Sequence, residues 1–465
     1  MTDMVDMTDI AEITDAGLND DLVDLTPEPA EGTFLPRDDD TPAPVVTAGS
    51  DVPALSAIAA GNGLDRRNVL GGLAAAAAAG LVSSALPGRL AFAGTPGDSI
   101  VVLFLRGAYD GMSLLAPIGD PHYKKARPRL ALPASIGLPA DRMFAWNPQA
   151  VQLHNLFQRG QLAPIVGVAS PAATRSHFEA MERMESCSYA ASPQRSGWLD
   201  RYAEGIGARQ VFSSVALGGL VPRSMTGAAP ELTMRSLDAF DVSVVGQRKR
   251  FLNAVRGLQH ASRGPAANAM LAGLAAVDRV DPLKGRRSVG YPDTSLGRAL
   301  HDVATLVRAN LGLRVATVDA GGWDMHVGLG NSAGNNGGSF GRQAADLSLS
   351  IGAFVKDLGA AWQRTTLVVM SEFGRRVAEN GSGGLDHGHG NMWLVAGGRI
   401  RGGKVYGRWP GLAPSRLDDG DLAGRVDHRS VLAEVISRRG GASARTVGAA
   451  LPGAPSTRLG FTDPR

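Results

Sequence analysis

Residues 100–111 read IVVLFLRGAYDG, an uninterrupted apolar run followed by a turn between two glycines. A short apolar run that ends at such a turn is typical of a strand buried on both faces of a parallel sheet. The turn places the carboxylate of Asp110 directly after the strand. Ligands of parallel α/β sheets bind at the carboxyl ends of the strands, so the residues after each predicted strand are the first candidates for a site.

Four further apolar runs have the same pattern, at residues 163–168, 314–318, 366–370 and 392–396. Around them, apolar residues at three- and four-residue spacing predict helices at 149–158, 295–310, 341–364 and 428–437. Strands that alternate with helices predict a three-layer α/β/α fold with a mostly parallel central sheet. Residues 188–293 lack this alternation, so we expect an inserted cap region there, helical at 248–276.

Glycine and cysteine contents limit the classes of protein and of metal site. The chain has 465 residues with 60 glycines, roughly twice the average content of about 7%, which indicates many tight turns. The single cysteine, Cys187, excludes an intramolecular disulfide framework and a structural zinc site built on cysteines. Any metal must therefore be bound by Asp, Glu, His, Asn or hydroxyl groups.

The first 93 residues differ from the rest of the chain. Residues 1–62 contain 14 acidic residues and one basic residue, and we expect a disordered acidic leader there. In residues 63–93, Arg66 and Arg67 precede an alanine-rich apolar run and a small-residue pattern that ends at Ala93, which is typical of a cleaved twin-arginine signal. We therefore expect the twin-arginine machinery to export the folded protein to the periplasm or beyond, with no membrane span left after cleavage.

The remainder of the chain is basic. Residues 94–465 carry 43 Lys and Arg against 29 Asp and Glu, a net charge of +14. This balance favours an anionic small molecule or a polysaccharide as partner, while a dispersed arginine-rich surface without a partner is the alternative. We detect no clustered basic run, RNP-like motif or zinc finger, which argues against nucleic acid as a partner.

The segment after the second predicted strand carries hydroxyl groups, an arginine and a histidine at the expected start of a helix. It reads Thr174-Arg175-Ser176-His177. A helix N-terminus favours anions, and a hydroxyl there can act as a nucleophile or as a helix cap. We expect Ser176 to be the reactive group, Thr174 to be the cap and Arg175 to bind an anionic ester.

Most candidate metal ligands follow the third and fourth predicted strands. Four of the nine histidines lie in loops after strands, at His177, His326, His387 and His389. Carboxylates and imidazoles of this kind bind divalent metals. The predicted ligands are Asp110, Asp324, His326, Glu372, Asp386, His387 and His389, and Arg375 is predicted to hold an oxyanion.

Several of these segments, taken together and in order, resemble a known bacterial family. FLRGAYDG at 104–111, RSHFEAM at 175–181, GWDMH at 322–326, MSEFGRR at 370–376 and DHGHGN at 386–391 look like the family called domain of unknown function 1501. The resemblance covers about residues 65–440. It implies a sulfatase-like protein similar to the alkaline phosphatase superfamily, with a divalent metal such as zinc, calcium or magnesium and a Thr, Ser or modified Cys nucleophile.

Carried over to this chain, the resemblance matches Asp110 to a first metal aspartate and Asp324 with His326 to a middle pair of ligands. His387 or His389 would be the late histidine. Glu372 stands where the superfamily usually has an Asp-His pair. The sulfatase modification motif is absent after Cys187, where Ser188-Tyr189-Ala190 follows, so a formylglycine sulfatase is disfavoured.

Two functions remain open at this stage. The first is an exported, metal-dependent hydrolase of a phosphate or sulfate ester, in which the metal polarises the ester. The second is a non-catalytic exported α/β protein that binds polysaccharide or a protein partner, because a fold does not fix a function.

Overall fold

The computed structural model describes residues 98–189, 193–229, 231–240, 265–286, 290–330 and 338–463. The acidic leader and the twin-arginine signal lie outside these ranges, as does most of the helix expected at 248–276. Among the described residues, no helix combines the length and the hydropathy needed to cross a membrane.

Strands and helices alternate through the described part of the chain. The strands are β1 Ser99–Leu105, β2 Leu115–Ala116, β3 Leu138–Pro139, β4 Ala145–Trp146, β5 Leu162–Ala169, β6 Ser214–Leu217, β7 Leu232–Met234, β8 Val315–Ala320, β9 Thr365–Met370, β10 Asn391–Gly397, β11 Tyr406–Gly407 and β12 Val426–Asp427. The α-helices are α1 Gly111–Leu114, α2 Tyr123–Ala126, α3 Val151–Gln158, α4 His177–Ser186, α5 Trp198–Gly205, α6 Pro265–Val280, α7 Ser295–Arg308, α8 Ser339–Leu358, α9 His428–Arg438 and α10 Ala444–Ala450. Short 3-10 helices lie at Arg223–Met225, Asp281–Leu283, Gly359–Arg364 and Pro414–Arg416.

The central sheet has the strand order β11-β5-β10-β9-β1-β8-β6-β7, and β12 pairs with β5. β1 is parallel to β8 and β9, and β6 is parallel to β7 and β8. β2, β4 and β3 form a small separate antiparallel sheet. The sheet is therefore mostly parallel, as the sequence predicts.

Strand β10 runs against its neighbours and corrects one prediction. It pairs antiparallel with both β9 and β5, so the expectation of a parallel strand at 392–396 is wrong. An apolar run shows that a strand is buried and does not encode its direction. Because β10 is reversed, it begins at the edge where β9 ends, and the whole connection 371–390 stays at that edge.

Alternate residues of β1 pack into two different cores. Val101, Leu103 and Leu105 belong to one hydrophobic cluster, and Ile100, Val102 and Phe104 belong to the other. The first cluster contains the apolar faces of α3, α7 and α8, whereas the second contains residues of α4, α5 and α9. Since side chains alternate across a strand, helices cover both faces of the sheet. The three-layer α/β/α prediction is confirmed.

The region 188–293 extends the sheet at one edge. β6 pairs with β8, and β7 pairs with β6, both in parallel register. These strands have four and three residues, too few to show a pattern in the sequence. The five predicted strands at 100–105, 163–168, 314–318, 366–370 and 392–396 match β1, β5, β8, β9 and β10 to within two residues at each end.

Candidate metal centre

The candidate residues lie in loops at one edge of the central sheet. Residues 106–110 follow β1, 170–176 follow β5, 321–330 follow β8 and 371–390 follow β9. The carboxyl ends of these four strands meet at the same edge, and the reversed β10 starts there. Residues far apart in the sequence are thereby brought together.

Two glycines allow the backbones of these loops to approach each other closely. Gly107 has φ +107°, and a Cβ atom on it would lie 2.6 Å from the backbone nitrogen of Asp324. A Cβ atom on Gly388 would lie 2.5 Å from the carbonyl carbon of Arg375. Any other residue at either position would push the loops apart, because heavy atoms cannot approach so closely.

Three histidines each hold the Nδ1 proton against a fixed acceptor. The contacts are His177 Nδ1 to Glu372 Oε1 at 2.8 Å, His326 Nδ1 to Asp386 Oδ1 at 3.1 Å, and His387 Nδ1 to the carbonyl oxygen of Arg175 at 2.8 Å. A carbonyl or an ionised carboxylate can only accept, so we assign the proton of each neutral ring to Nδ1. When the rings are neutral, each Nε2 atom therefore presents a lone pair.

The three Nε2 atoms converge on one point beside Asp324. Nε2 of His387 lies 3.0 Å from Nε2 of His177 and 2.9 Å from Nε2 of His326. Oδ1 of Asp324 lies 3.2 Å from Nε2 of both His326 and His387, and its Oδ2 lies 3.5 Å from Nε2 of His177. We call these four residues the histidine cluster.

The arrangement is suited to hold a cation. Lone pairs and a carboxylate repel one another at about 3 Å unless a proton or a metal ion lies among them. Histidines that bind metals commonly donate their other N–H to a carboxylate or a carbonyl, as all three rings do in this structure. Ligand atoms of His177, Asp324 and His387 all lie within 4.8 Å of one another.

Arg375 holds the loops of the cluster in place. Its side chain is 1% exposed, and its Nη2 donates to Oδ1 of Asp324 at 2.5 Å. Its other N–H groups donate to the carbonyl oxygens of Gly107, Ala108 and Leu385, and Nη1 also lies 3.4 Å from Nε2 of His326. These partners occupy the guanidinium, so the structure places Arg375 in an orienting position, where the sequence predicted an oxyanion holder.

Hydrogen bonds within the cluster shift pKa values. Burial lowers the pKa of His177, but hydrogen bonds to Asp324 and Glu372 outweigh this effect and raise it to about 9. Burial raises the pKa of Asp324, but hydrogen bonds from His177, His387 and Arg375 hold it well below its usual range. In the metal-free protein a proton is therefore retained among the rings at neutral pH, and a bound metal would displace it.

Exposure and charge also fit a divalent cation. The side chains of Asp324 and His326 are 46% and 41% exposed, so the cluster is open to solvent on that side. The rings are surrounded by the carboxylates of Asp324, Glu372 and Asp386 and by the guanidinium of Arg375. With neutral rings, this group has two negative charges that a divalent cation would neutralise.

Asp110 lies outside the cluster, although the sequence predicts it as a ligand. Its Oδ2 accepts from Nη1 of Arg127 at 2.5 Å, and its Oδ1 accepts from Nη2 of Arg127 at 3.0 Å. Both side chains are buried. The carboxylate therefore neutralises a buried arginine that the sequence pattern gave no reason to place beside it.

Three other predicted ligands do not point a ligand atom at the common point of the cluster. Glu372 and Asp386 contact the cluster through the Nδ1 protons of His177 and His326, so they orient the rings and offer no ligand atom to the common point. His389 turns away, with Nε2 3.0 Å from the carbonyl oxygen of Ser170. Asp324, His326 and His387 are the predicted ligands that the structure brings together.

The hydroxyl group that caps α4 is that of Ser176, not that of Thr174. Ser176 is the N-cap of α4, with Oγ accepting from the backbone nitrogen of Glu179 at 3.5 Å. Thr174 Oγ1 donates instead to Oε2 of Glu179 at 2.7 Å, so the prediction that Thr174 caps the helix is wrong. Arg175 donates to two carboxylates of a neighbouring turn at 2.9 and 3.0 Å.

His177 is the ligand candidate that sequence reasoning missed. It is the first residue of α4, and its ring stacks on Phe373 with 4.9 Å between ring centroids. The signal available in the sequence was its predicted position after a strand, which it shares with His326, His387 and His389. That signal does not separate metal ligands from other histidines, because the direction in which each histidine ring points depends on how its loop folds.

Comparisons with known proteins give distant structural neighbours. The C-terminal periplasmic domain of EcEptC from Escherichia coli, in complex with Zn, is 11% identical, with 67% of this chain and 77% of that chain covered and a TM-score of 0.32. A phosphonate monoester hydrolase of Agrobacterium radiobacter is 12% identical, with 78% of each chain covered and a TM-score of 0.30. BT1596, a 2-O GAG sulfatase, is 10% identical, with 66% of each chain covered and a TM-score of 0.31. Likeness at this level assigns no activity to this chain.

No curated protein matches the sequence. One family model does match it, that of "Protein of unknown function (DUF1501)", over residues 166–433. The matched range is more than half of the chain and contains all four residues of the histidine cluster. The chain belongs to the DUF1501 family.

Proposed function

We propose that the histidine cluster binds a divalent cation and that the protein hydrolyses a phosphate or sulfate ester there. The observation that carries the proposal is the convergence of three Nε2 atoms, each on a ring whose Nδ1 proton has a fixed acceptor. Three imidazoles and one carboxylate are typical ligands of zinc, whereas calcium and magnesium prefer oxygen ligands. Zinc is therefore the metal that the donor set favours.

The chain around the cluster suits an anionic substrate. His177 is the first residue of α4, a helix of ten residues, so the free N–H groups and the positive end of its dipole lie beside the cluster. Asp324 and His326 are half-exposed, which leaves a path for an ester from solvent. A bound divalent cation would polarise the ester oxygens and lower the pKa of a coordinated water.

The residues around the histidine cluster hold its side chains in the orientation that metal binding requires. Glu372 and Asp386 fix the rings of His177 and His326, and Arg375 fixes Asp324. Ser176 accepts from the first turn of α4, so we assign the attacking group to water in place of its hydroxyl. The sequence favoured Ser176 as the nucleophile, and a Ser176→Ala variant that retains turnover would support the assignment to water.

The proposal includes export by the twin-arginine pathway, as the sequence of residues 63–93 predicts. Replacing Arg66 and Arg67 with lysine should keep the full-length chain in the cytoplasm, while the parent protein is recovered outside as a chain that starts at Gly94. Mature protein outside the cytoplasm in both cases would contradict this part of the proposal.

The test combines metal analysis with ester turnover. The parent protein, loaded with zinc and freed of excess metal, should retain the ion and hydrolyse a member of a panel of p-nitrophenyl phosphates, phosphonates and sulfates. His326→Ala and His387→Ala should lose both metal and turnover, because each removes one Nε2 ligand. His154→Ala is the matched control, since His154 lies on α3 and contacts the carbonyl oxygen of Pro139 and the side chain of Gln158.

The outcomes separate the two functions that the sequence left open. Retained zinc with no turnover of any ester would favour the non-catalytic protein that binds polysaccharide or a protein partner. A parent protein that retains no divalent metal under any loading condition would contradict the proposal as a whole.

A further inference from the structure

A small cavity lies between α5 and the edge of the central sheet, and it shares no residue with the histidine cluster. Three polar side chains line it, those of Asp200 on α5, Ser214 on β6 and Glu231, which directly precedes β7. The rest of its wall is apolar and belongs mainly to the hydrophobic cluster that contains α4, α5 and α9, through Leu199, Met225 and Val315. We call it the α5 cavity.

Two of the three polar side chains are buried with an oxygen atom that has no hydrogen-bond partner in the protein. These atoms are Oε2 of Glu231 and Oγ of Ser214, in residues that are only 6% and 3% exposed. Buried oxygen atoms are costly unless a donor or a positive charge contacts them. The cavity has no space for a sphere the size of a water molecule, so an ordered water does not fill this role.

The two carboxylates of the cavity also have no cationic side chain in contact with them. Oδ1 of Asp200 accepts from the backbone nitrogen of Ala229 at 2.7 Å, which holds the carboxylate but supplies no full positive charge. Within the part of the chain that the structure describes, no lysine or arginine forms an ion pair with Asp200 or Glu231, and Arg201 donates to four carbonyl oxygens instead. Burial and the charge of Asp200 raise the pKa of Glu231 to about 8, in keeping with this excess of negative charge.

The spacing of the oxygen atoms suits ligands of one cation. Oxygen atoms that lie about 2.3–2.6 Å from one calcium ion are about 3.3 Å or more from one another, which is longer than a hydrogen bond between them. Glu231 Oε2 and Ser214 Oγ line one small cavity and yet make no hydrogen bond to each other or to Asp200. A bare ion at these distances also needs less room than a water molecule, whose hydrogen bonds are about 2.7–2.8 Å long.

The chemistry of the donors selects the ion. All three side chains offer oxygen, whereas zinc is bound mainly by nitrogen and sulfur. Magnesium usually keeps several of its water molecules, for which the cavity has no room. Calcium takes about six to eight oxygen ligands, including carboxylates and backbone carbonyls, and one calcium ion balances the charge of two carboxylates.

We propose that the α5 cavity binds one calcium ion between Asp200, Ser214 and Glu231, with backbone carbonyl groups of the cavity wall as further ligands. The ion would link α5 to the edge strands β6 and β7. This inference does not rest on the proposed function, because the α5 cavity and the histidine cluster consist of different residues.

The test is calorimetric titration of the full-length chain with calcium chloride, and magnesium chloride is the comparison. The parent protein should bind one calcium ion at a saturable site and unfold at a higher temperature in its presence, because an ion that binds only the folded state stabilises it. Magnesium should bind more weakly. The metal-free and the zinc-loaded protein should behave alike, and weak binding by the acidic residues 1–62 is common to all variants.

Matched variants locate the ion. Glu231→Gln keeps the size of the side chain and removes one charged ligand, so it should retain the fold and weaken calcium binding at least about tenfold. Ser214→Ala removes a neutral ligand and should weaken calcium binding by less. Asp418→Asn is the control, because Asp418 is a 64% exposed carboxylate near two other aspartates elsewhere in the fold, and it should bind calcium as the parent does.

The possible results separate this inference from the proposed function. His326→Ala should lose zinc and keep calcium. The inference would be overturned by a parent protein with no saturable calcium site, by equal calcium affinity in the parent and in Glu231→Gln, or by loss of calcium binding in Asp418→Asn. Magnesium bound as tightly as calcium would also overturn it.

Discussion

Substituting Glu372 by glutamine distinguishes a residue that orients a ligand from one that binds the metal itself. Its side chain is fully buried, and Oε1 accepts from Nδ1 of His177 and from the backbone nitrogen of Gly107, both at 2.8 Å. Glutamine keeps the size and one oxygen acceptor but removes the negative charge. The His177 ring then keeps a partner and becomes a weaker base.

The size of the effect follows from burial. Replacing a residue that orients a metal ligand typically weakens metal binding about 10–100-fold, or about 1.4–2.7 kcal/mol. The buried Glu372 is little screened by solvent, so we expect the upper part of this range. Asp386, which plays the same part for His326, has a 53% exposed side chain, and Asp386→Asn should weaken binding by less than about tenfold.

The assay is competition for zinc between the metal-free protein and a chromophoric chelator near neutral pH. Glu434→Gln is the matched control, because Glu434 is a buried carboxylate that accepts from Leu459, Gly460 and Thr462 and does not contact the cluster. Unchanged affinity in Glu372→Gln would refute the orienting role. A loss far beyond the stated range would show that Glu372 itself binds the metal.

Three further variants test the structure around the site. Asp110→Ala should lower the free energy of unfolding by about 3–5 kcal/mol, measured in urea, because it leaves Arg127 buried without its partner; zinc affinity should not change, and a loss of affinity would contradict the assignment. Ser176→Ala should lower the free energy of unfolding by about 0.5–2 kcal/mol with zinc content unchanged, and no loss of stability would exclude a capping role. Burial and the nearby Asp200 raise the pKa of Glu231 to about 8 from an ordinary 4.5, so the stability it contributes below pH 4.5 is lost as the pH rises to 8. Glu231→Gln should therefore raise the free energy of unfolding more at pH 8 than at pH 4.5, and an equal effect at both pH values would contradict the raised pKa.

The main strands of the sheet could be predicted because burial on both faces leaves an apolar run in the sequence. Every position of β1, β5, β9 and β10 is buried, and so are the first four of the six positions of β8. The direction of a strand leaves no such pattern in the sequence, so the reversal of β10 is seen only in its antiparallel pairing with β9 and β5. β6 and β7 are too short to carry a periodic signal.

The candidate site could be predicted only in part. Spacing after the strands indicated Asp324, His326 and His387, since all strand ends meet at one edge. Whether a carboxylate binds a metal or orients a histidine depends on a contact such as that of Glu372 with His177, across 195 residues. The pairing of Asp110 with Arg127 likewise depends on how the turn after β1 packs against residues that follow α2.

The central claim is that one cation is bound among Nε2 of His177, His326 and His387 and the carboxylate of Asp324. X-ray absorption spectroscopy at the zinc edge of the zinc-loaded protein tests this most directly. We expect a shell of five nitrogen and oxygen atoms at about 2.0–2.2 Å, three from imidazole rings, one from Asp324 and one from water, with no sulfur. A shell of six oxygen atoms, or one with fewer than three imidazoles in the parent protein, would contradict the account.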